Sequence, residues 1–500
     1  MSREPDYTRR WFINASGMSI FANAVSANAS YGQTAVGASR IAASTGERAA
    51  DQNSVSPITT ALADYVAGAL DRELPAPVVA RTKLHVLDTL AAMISGSRLK
   101  PGEFAARYVD SLGGKPQAMV IGTGIVTSAV NAALANAMAA HADETDDTNP
   151  VGPFHAGCGA VSAALATAEL TGRTGNDVLR AVALGYDIGA RLVISLGGAR
   201  RHSPSCLTTT FAAAAASAAI LRLDHRQVRH VFSYAGQQAS GIGYWDRDLD
   251  HIEKAFDFGG MGARNGVTAA TMVALGFTGV EDPFSGGENV FTALADTPKP
   301  QELVAELGMR FEVFNTTIKK WSVGSPLQSV LDSVTALLED PAVRAGNIKH
   351  IAVAIPTESL RIVDNSTIPD LCLQHLVALM IVDGGATFAS VHDVARMRDP
   401  KILAIRNLVE VVPSAELQAA LPRRQAIVMI ETGDGRMLNH RTFVVRGTAR
   451  NPMDQNEVEA KALDLTAPVL GVARAKELIG TVANFDRVGP VFGLRRLLQA

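Results

Sequence analysis

The chain reads as a mainly α protein: a large all-helical domain formed by both ends of the chain, with a smaller α+β lid domain inserted between them. Three observations predict this. Of 500 residues, 47% are apolar but only 5% are aromatic, so alanine and leucine do the packing. Alanine has the best helix propensity and lets helix axes approach closely. From Ser56 to about Gly308 the apolar residues recur at helical spacing, whereas after Met309 they alternate before turning helical again near the end.

At the N-terminus, Arg9-Arg10 precede a stretch without charge from Trp11 to Ser39 that contains Ala27-Asn28-Ala29. This is the pattern of a removable export signal of the twin-arginine type, over residues 1–29, with an Ala/Ser/Gly-rich tether over 30–53. It predicts a periplasmic or secreted protein; a true start at Met18 would instead leave it cytoplasmic. Asn14 and Asn23 make the apolar run a poor anchor, and the uncharged stretch 202–221 is dominated by Ser, Thr and Ala. Neither supports a membrane span in the mature protein.

The first helical part covers 54–308. Ile58, Leu62, Tyr65, Val66 and Ala69 mark one face of a helix; Pro75 and Pro77 break the chain before a second, from Val78 to Ile94. Ala-rich helices follow over 129–142, 159–171, 178–194 and 210–223, with Gly172, Gly175 and Gly197-Gly198 as stops. In the lid, 309–453, Ile351, Val353 and Ile355 alternate as a half-buried strand does. Gln425 to Ile430 and Thr442 to Val445 flank Gly433-Asp434-Gly435, a hairpin signal. Asn451-Pro452 closes the lid. Asp454 with Glu457 forms a capping box for a helix to Leu465, opening the C-terminal helical part, 454–500, with further helices from Val472 to Ile479 and from Val491 to Leu498.

A net charge of −3 provides no field of the kind that holds nucleic acid. Cys158, Cys206 and Cys372 lie far apart in an odd number, the pattern of buried thiols rather than a disulfide framework. The densest polar cluster is His141-Ala142-Asp143-Glu144-Thr145-Asp146-Asp147-Thr148-Asn149-Pro150, with His155 beyond. On a helix end, Asp143, Asp146 and Asp147 would share one face. Four carboxylates this close repel unless a cation, protons or hydrogen bonds compensate. A solvated acidic turn is one reading. A magnesium-binding aspartate cluster of the terpene-cyclase kind is another, which the scarcity of aromatic residues opposes. Gly259-Gly260-Met261-Gly262 lacks the preceding strand and following Lys-Ser/Thr of a phosphate loop.

Taken together, several segments resemble the MmgE/PrpD family. They are Leu87-Asp88-Thr89, the His-Ala-x-x-x-Asp-Asp-Thr run 141–148, His155-Ala156-Gly157, His202 ahead of Thr210-Phe211, and Gly262-Ala263-Arg264-Asn265-Gly266. Lys319-Lys320-Trp321 with Ser325-Pro326-Leu327-Gln328, Leu373-Gln374-His375, Asp383-Gly384 and Asn451-Pro452 continue it, in order, from about 56 to 498. The resemblance implies a helical domain with an α+β lid, a homodimer, and a lyase or isomerase of small di- or tricarboxylates that needs no cofactor and no metal. 2-Methylcitrate dehydration is the leading family reaction, with epimerisation, decarboxylation or carboxylate binding without turnover as alternatives. Residue by residue it implies His155 as acid/base, His202 as its partner, and Asp147 and Thr148 as orienting groups. Arg264, His375, Glu144, Lys319 and Lys320 become candidate substrate-binding groups.

Three positions depart from the family's decarboxylases. Glu144 stands for an aspartate, one methylene (~1.5 Å) longer. Arg264 stands for a lysine, which keeps anion binding but removes a titrating ammonium. His375 stands for a tyrosine, replacing a phenol with a group titrating near pH 6.5.

Overall fold

The computed structural model describes residues 55–150, 154–197, 203–243 and 245–500. The leader and tether read over 1–53, and His202, lie outside the described residues. Helix α1 (Pro57–Ala67) starts on Ser56, whose side chain accepts from the Thr59 N–H. Pro75 stands at the N-cap of α2 (Ala76–Gly96) with Pro77 in its first turn, and α3 (Lys100–Leu112) follows with Pro101 in its own. Helices α4 (Ala129–Ala140), α5 (Ala156–Thr171), α6 (Gly175–Ser195), α7 (Pro204–Ile220) and α8 (His225–Gln238) follow. A single turn, α9 (Ile252–Ala255), runs through a π-helical turn at Phe256–Gly260 into α10 (Met261–Ala274).

Small residues set the packing. Helix α7 lies against α5, α6, α8 and α10, and its alanine run, Ala212 to Ala216, is wholly buried. Glycines close the tightest crossings. A Cβ on Gly266 of α10 would meet the Ala213 and Ala214 backbone of α7 at 2.5–2.7 Å. A Cβ on Gly259 would meet the Ala137 carbonyl of α4 at 2.5 Å, so the glycine run at 259–262 serves helix contact.

Among the described residues two smaller, alanine-rich clusters accompany two large hydrophobic cores. One joins Leu62 through Ile318 with Met453 through Leu498, and the other gathers Val323 through Ile430. In the second, α11 (Gln328–Leu337) and α12 (Leu373–Asp383) pack against a four-stranded sheet. A short antiparallel pair precedes it in the chain, β1 (Ala118–Met119) and β2 (Val126–Thr127). The sheet itself is formed by β3 (Ile348–Pro356), β4 (Val409–Ser414), β5 (Ala426–Thr432) and β6 (Met437–Thr442), in the order β4-β3-β5-β6. Strands β3 and β4 are parallel and the other neighbours antiparallel.

Sequence and structure differ in places. The hairpin's second strand begins at Met437, not Thr442, because the turn through Gly435 (φ 84°) is tight enough to resume pairing at once. Strand β4 carries no sequence signal, because its residues are half-exposed and show no clean alternation. Helix α13 (Phe388–His392) is a single turn. The capping box of Asp454 and Glu457 is present, but its helix, α14 (Gln455–Leu470), continues past Leu465 and through Pro468. Helix α15 (Val472–Ala483) follows, and α14 and α15 both return to α2. The three cysteines are free and buried. Among the described residues no helix is long and apolar enough to cross a membrane.

At the crossing of α2 with α4, a Cβ on Gly96 would run into the Ala139 carbonyl oxygen. Gly96→Ala should therefore lower stability by roughly 1–3 kcal/mol, as overpacking does, despite alanine's better helix propensity. Urea denaturation measures it; an unchanged midpoint would show that the crossing yields.

Candidate functional site

Helix α4 stops at Ala140, and residues 141–147 continue as turns and bends rather than helix. The single face expected for Asp143, Asp146 and Asp147 therefore does not form. Nor is the segment solvated: Asp143, Glu144, Asp146 and Asp147 are all buried. Each carboxylate has its own compensation instead.

Asp143 accepts from the Thr145 N–H (3.0 Å) and hydroxyl (2.6 Å) and pairs with His392 of α13 at 2.9 Å. Burial opposes protonation of His392, yet Asp143 raises it to about 9, so this lid histidine is a cation at neutral pH. Glu144 forms an ion pair with Lys254 of α9 and lies 3.7 Å from Lys319 Nζ. Burial alone would raise its carboxyl, but Lys254 and Lys319 hold it well below the usual range. Lys319 is wholly buried and donates to the Glu144 carbonyl at 2.6 Å, and its Nζ is also 3.7 Å from Asp146 Oδ1.

Asp147 is a scaffold acceptor. Its oxygens take Tyr186 OH of α6 (2.5 Å), His85 Nδ1 of α2 (2.6 Å) and the Gly157 N–H at the start of α5 (2.9 Å). Thr148 makes a two-way backbone bridge with Thr317, two residues before Lys319. From the C-terminal part of the chain, Lys461 of α14 reaches Asp88 Oδ1 of α2 (2.6 Å) and the Thr145 carbonyl (2.9 Å).

Asp146 carries the reactive geometry. Its Oδ1 accepts from His155 Nδ1 at 2.9 Å and from His141 Nδ1 at 3.0 Å. The two imidazoles meet edge to face with centroids 4.4 Å apart, and His141 stacks on Phe258 of the π-helical turn at 4.7 Å. Burial lowers the His155 pKa to about 4, with Asp146 opposing the shift. His155 is thus neutral at pH 7 with its proton on Nδ1, leaving the Nε2 lone pair as a base. A proton taken there would place an imidazolium directly on an ionised aspartate.

The structure brings together His155, Glu144 and Lys319, with Asp147 and Thr148 supporting them from behind. Three other candidates among the described residues have their contacts elsewhere. Lys320 lies over the Trp321 ring at 4.6 Å, so only the first lysine of the pair enters the site. His375 is buried in the lid on α12 with neither ring nitrogen partnered, and its charged neighbours Arg406, Arg396, Asp383 and Asp393 are lid residues. Arg264 on α10 spends its donors on neutral Asn265 and lies 5.6 Å over Phe256.

Sequence reading missed His251, Lys254, His392 and Lys461. The only signal for them was the unbalanced charge of residues 143–147, which demands cations without saying where they lie in the chain. Ligand atoms of His141, Asp146 and His155, and of His141, Glu144 and His251, lie within 4.8 Å of one another. They fit a divalent ion poorly: Asp146 Oδ1 already holds two imidazole protons, and two ammonium groups stand beside the carboxylates.

Two family models match this chain: the MmgE/PrpD N-terminal domain over residues 60–303 and the MmgE/PrpD C-terminal domain over 321–487. The chain belongs to the MmgE/PrpD family. It is 24% identical to the cis-aconitate decarboxylase of Aspergillus terreus over 492 residues, covering 91% of this chain and 98% of that one. The human cis-aconitate decarboxylase is likewise 24% identical, over 88% of this chain and 94% of its own. A cis-aconitate decarboxylase-like protein of Aspergillus oryzae is 27% identical over 282 residues, 52% of this chain and 58% of that protein.

Asp147→Ala would strand three buried donors at once. It should destabilise the fold by about 3 kcal/mol or more, since each unsatisfied buried group costs about 1–3 kcal/mol. Chemical denaturation tests this, and a loss under about 1 kcal/mol would remove Asp147 from the scaffold.

Proposed function

We propose that this protein is a cofactor-independent lyase or isomerase that moves a proton at carbon next to a carboxylate in a small di- or tricarboxylate. Dehydration of the 2-methylcitrate type is the leading reaction. The observation that carries this is the neutral His155 held on ionised Asp146, with the buried Lys319 ammonium 3.7 Å from the same oxygen. His155 Nε2 removes the proton, and Asp146 stabilises the imidazolium that forms. Lys319 and Lys254 offset the negative charge that develops on the substrate, the effect that usually dominates such catalysis. Arg264, which the structure leaves apart from this cluster and hydrogen-bonded to a neutral amide, is proposed as a carboxylate anchor on the resemblance alone. His202 is proposed as a second proton-handling group on the resemblance alone.

Decarboxylation is the second reading. The names of the relatives favour it; Arg264 and His375, in place of lysine and tyrosine, favour the first. Export by the twin-arginine route and assembly as a homodimer are part of the proposal and rest on the leader motif and the family resemblance.

The decisive experiment incubates the protein with citrate, 2-methylcitrate, cis-aconitate and iminodisuccinate in heavy water and follows proton NMR. Deuterium incorporation or net conversion is expected with at least one of them; none, with binding retained, would reduce the protein to a carboxylate binder. His155→Ala should slow the reaction by roughly a hundredfold or more. Because the folded-state His155 value is about 4, exchange should hold steady from pH 8 to about 5 and fall below that. A midpoint near 6.5 would mean that an unperturbed histidine is the base.

A further inference from the structure

A second imidazole in this site has no assigned task. His251 sits at the start of α9 with φ 58° and ψ 12°, a left-handed backbone conformation that residues other than glycine seldom adopt. Such conformations persist where the surroundings enforce them, and they gather at functional sites. The side chain is nine-tenths buried, and its Nε2 has no hydrogen-bond partner. Its Nδ1 lies 4.0 Å from Glu144 Oε1, and its ring centroid is 5.2 Å from that of His141. One turn on, Lys254 pairs with the same Glu144 and lies 5.0 Å over the Trp245 ring.

His85 is held quite differently. That histidine is also fully buried, and both of its nitrogens are matched, to Asp147 and to the Val313 carbonyl. A histidine placed only for structure is satisfied in this way, because a sealed polar atom without a partner costs free energy. His251 carries both a strained backbone and an unmatched nitrogen, and it carries them beside His141, which shares Asp146 with the site's base. Burial, with Lys254 adding to it, lowers the His251 pKa to about 3, so the ring is a neutral hydrogen-bonding group at working pH.

We propose that His251 is a substrate-contacting residue, whose Nε2 makes a hydrogen bond to a polar group of the bound polycarboxylate and so helps to set substrate specificity. The inference rests on the polycarboxylate reading above and adds to it a residue from the segment between α8 and α10. Glu144 lies near Nδ1 and His141 beside the ring, which leaves Nε2, sealed and unmatched, as the ring's unused polar atom.

The test uses the full-length protein, with His251→Asn and His251→Gly. Asparagine tolerates the left-handed conformation but is too short to keep the contact, and glycine relieves the backbone strain altogether. Isothermal titration with tricarballylate and citrate, together with deuterium exchange, should show at least a tenfold loss of affinity or of kcat/KM in both variants. The thermal midpoint of His251→Gly should be unchanged or higher. Wild-type affinity and turnover in both variants would overturn the inference and leave the proposed function standing. A lowered thermal midpoint in both variants, with normal activity per folded molecule, would assign His251 a structural task and overturn it equally. Wild-type protein that neither binds nor exchanges any polycarboxylate would instead overturn the function and this inference with it.

Discussion

Burying the carboxylates of residues 143–147 is the constraint to which much of this molecule answers. Moving one unpaired ion into a protein interior costs several kcal/mol even after relaxation, and four such ions would unfold an ordinary domain. The chain resolves this by bringing partners to each: His392 from the lid to Asp143, Lys254 from α9 to Glu144, His141 and His155 to Asp146 with Lys319 3.7 Å away, and the trio of His85, Tyr186 and the Gly157 N–H to Asp147. Lys461, arriving from α14, binds the Thr145 carbonyl between them and neutralises Asp88. Two lobes and both ends of the helical body therefore meet on one short segment.

That convergence needs close backbones. The alanine runs and glycines of α4, α5, α7 and α10 leave no bulk between helix axes, so polar side chains at helix ends can reach across one another. Aromatic residues are few, and some of them are placed where they matter chemically. Phe258, on the π-helical turn, stacks against His141 and lies 5.2 Å from His155, giving the imidazole pair a low-dielectric wall. Burial there keeps His155 neutral, while the shared Asp146 favours the charged form that a proton transfer would create. The same surroundings thus leave Nε2 unprotonated and favour an imidazolium should one form there.

Charge and proton are divided between different groups. Lysines balance the carboxylates nearest the site; the imidazoles His141 and His155 face one aspartate oxygen. Lys319 joins the two sets, donating to a backbone carbonyl and lying 3.7 Å from the carboxylates of Glu144 and Asp146.

The sequence alone determined the mainly α class, the return of the C-terminal helices, the hairpin around Gly433-Asp434-Gly435 and the concentration of ionisable groups at residues 141–155. These are local properties: propensity, period, turn residues and capping pairs act within a few residues. It also carried the family resemblance that singled out Glu144, His155 and Lys319. Only the tertiary structure decided that Lys319 rather than Lys320 is inside, that Asp147 is a scaffold acceptor, and that His375 belongs to the lid interior. It alone showed His251, Lys254, His392 and Lys461 around the acidic segment. Those partners lie tens to hundreds of residues from the carboxylates they serve. A requirement for compensating charge is visible in a sequence, but the address of the compensating group is set by how helices pack.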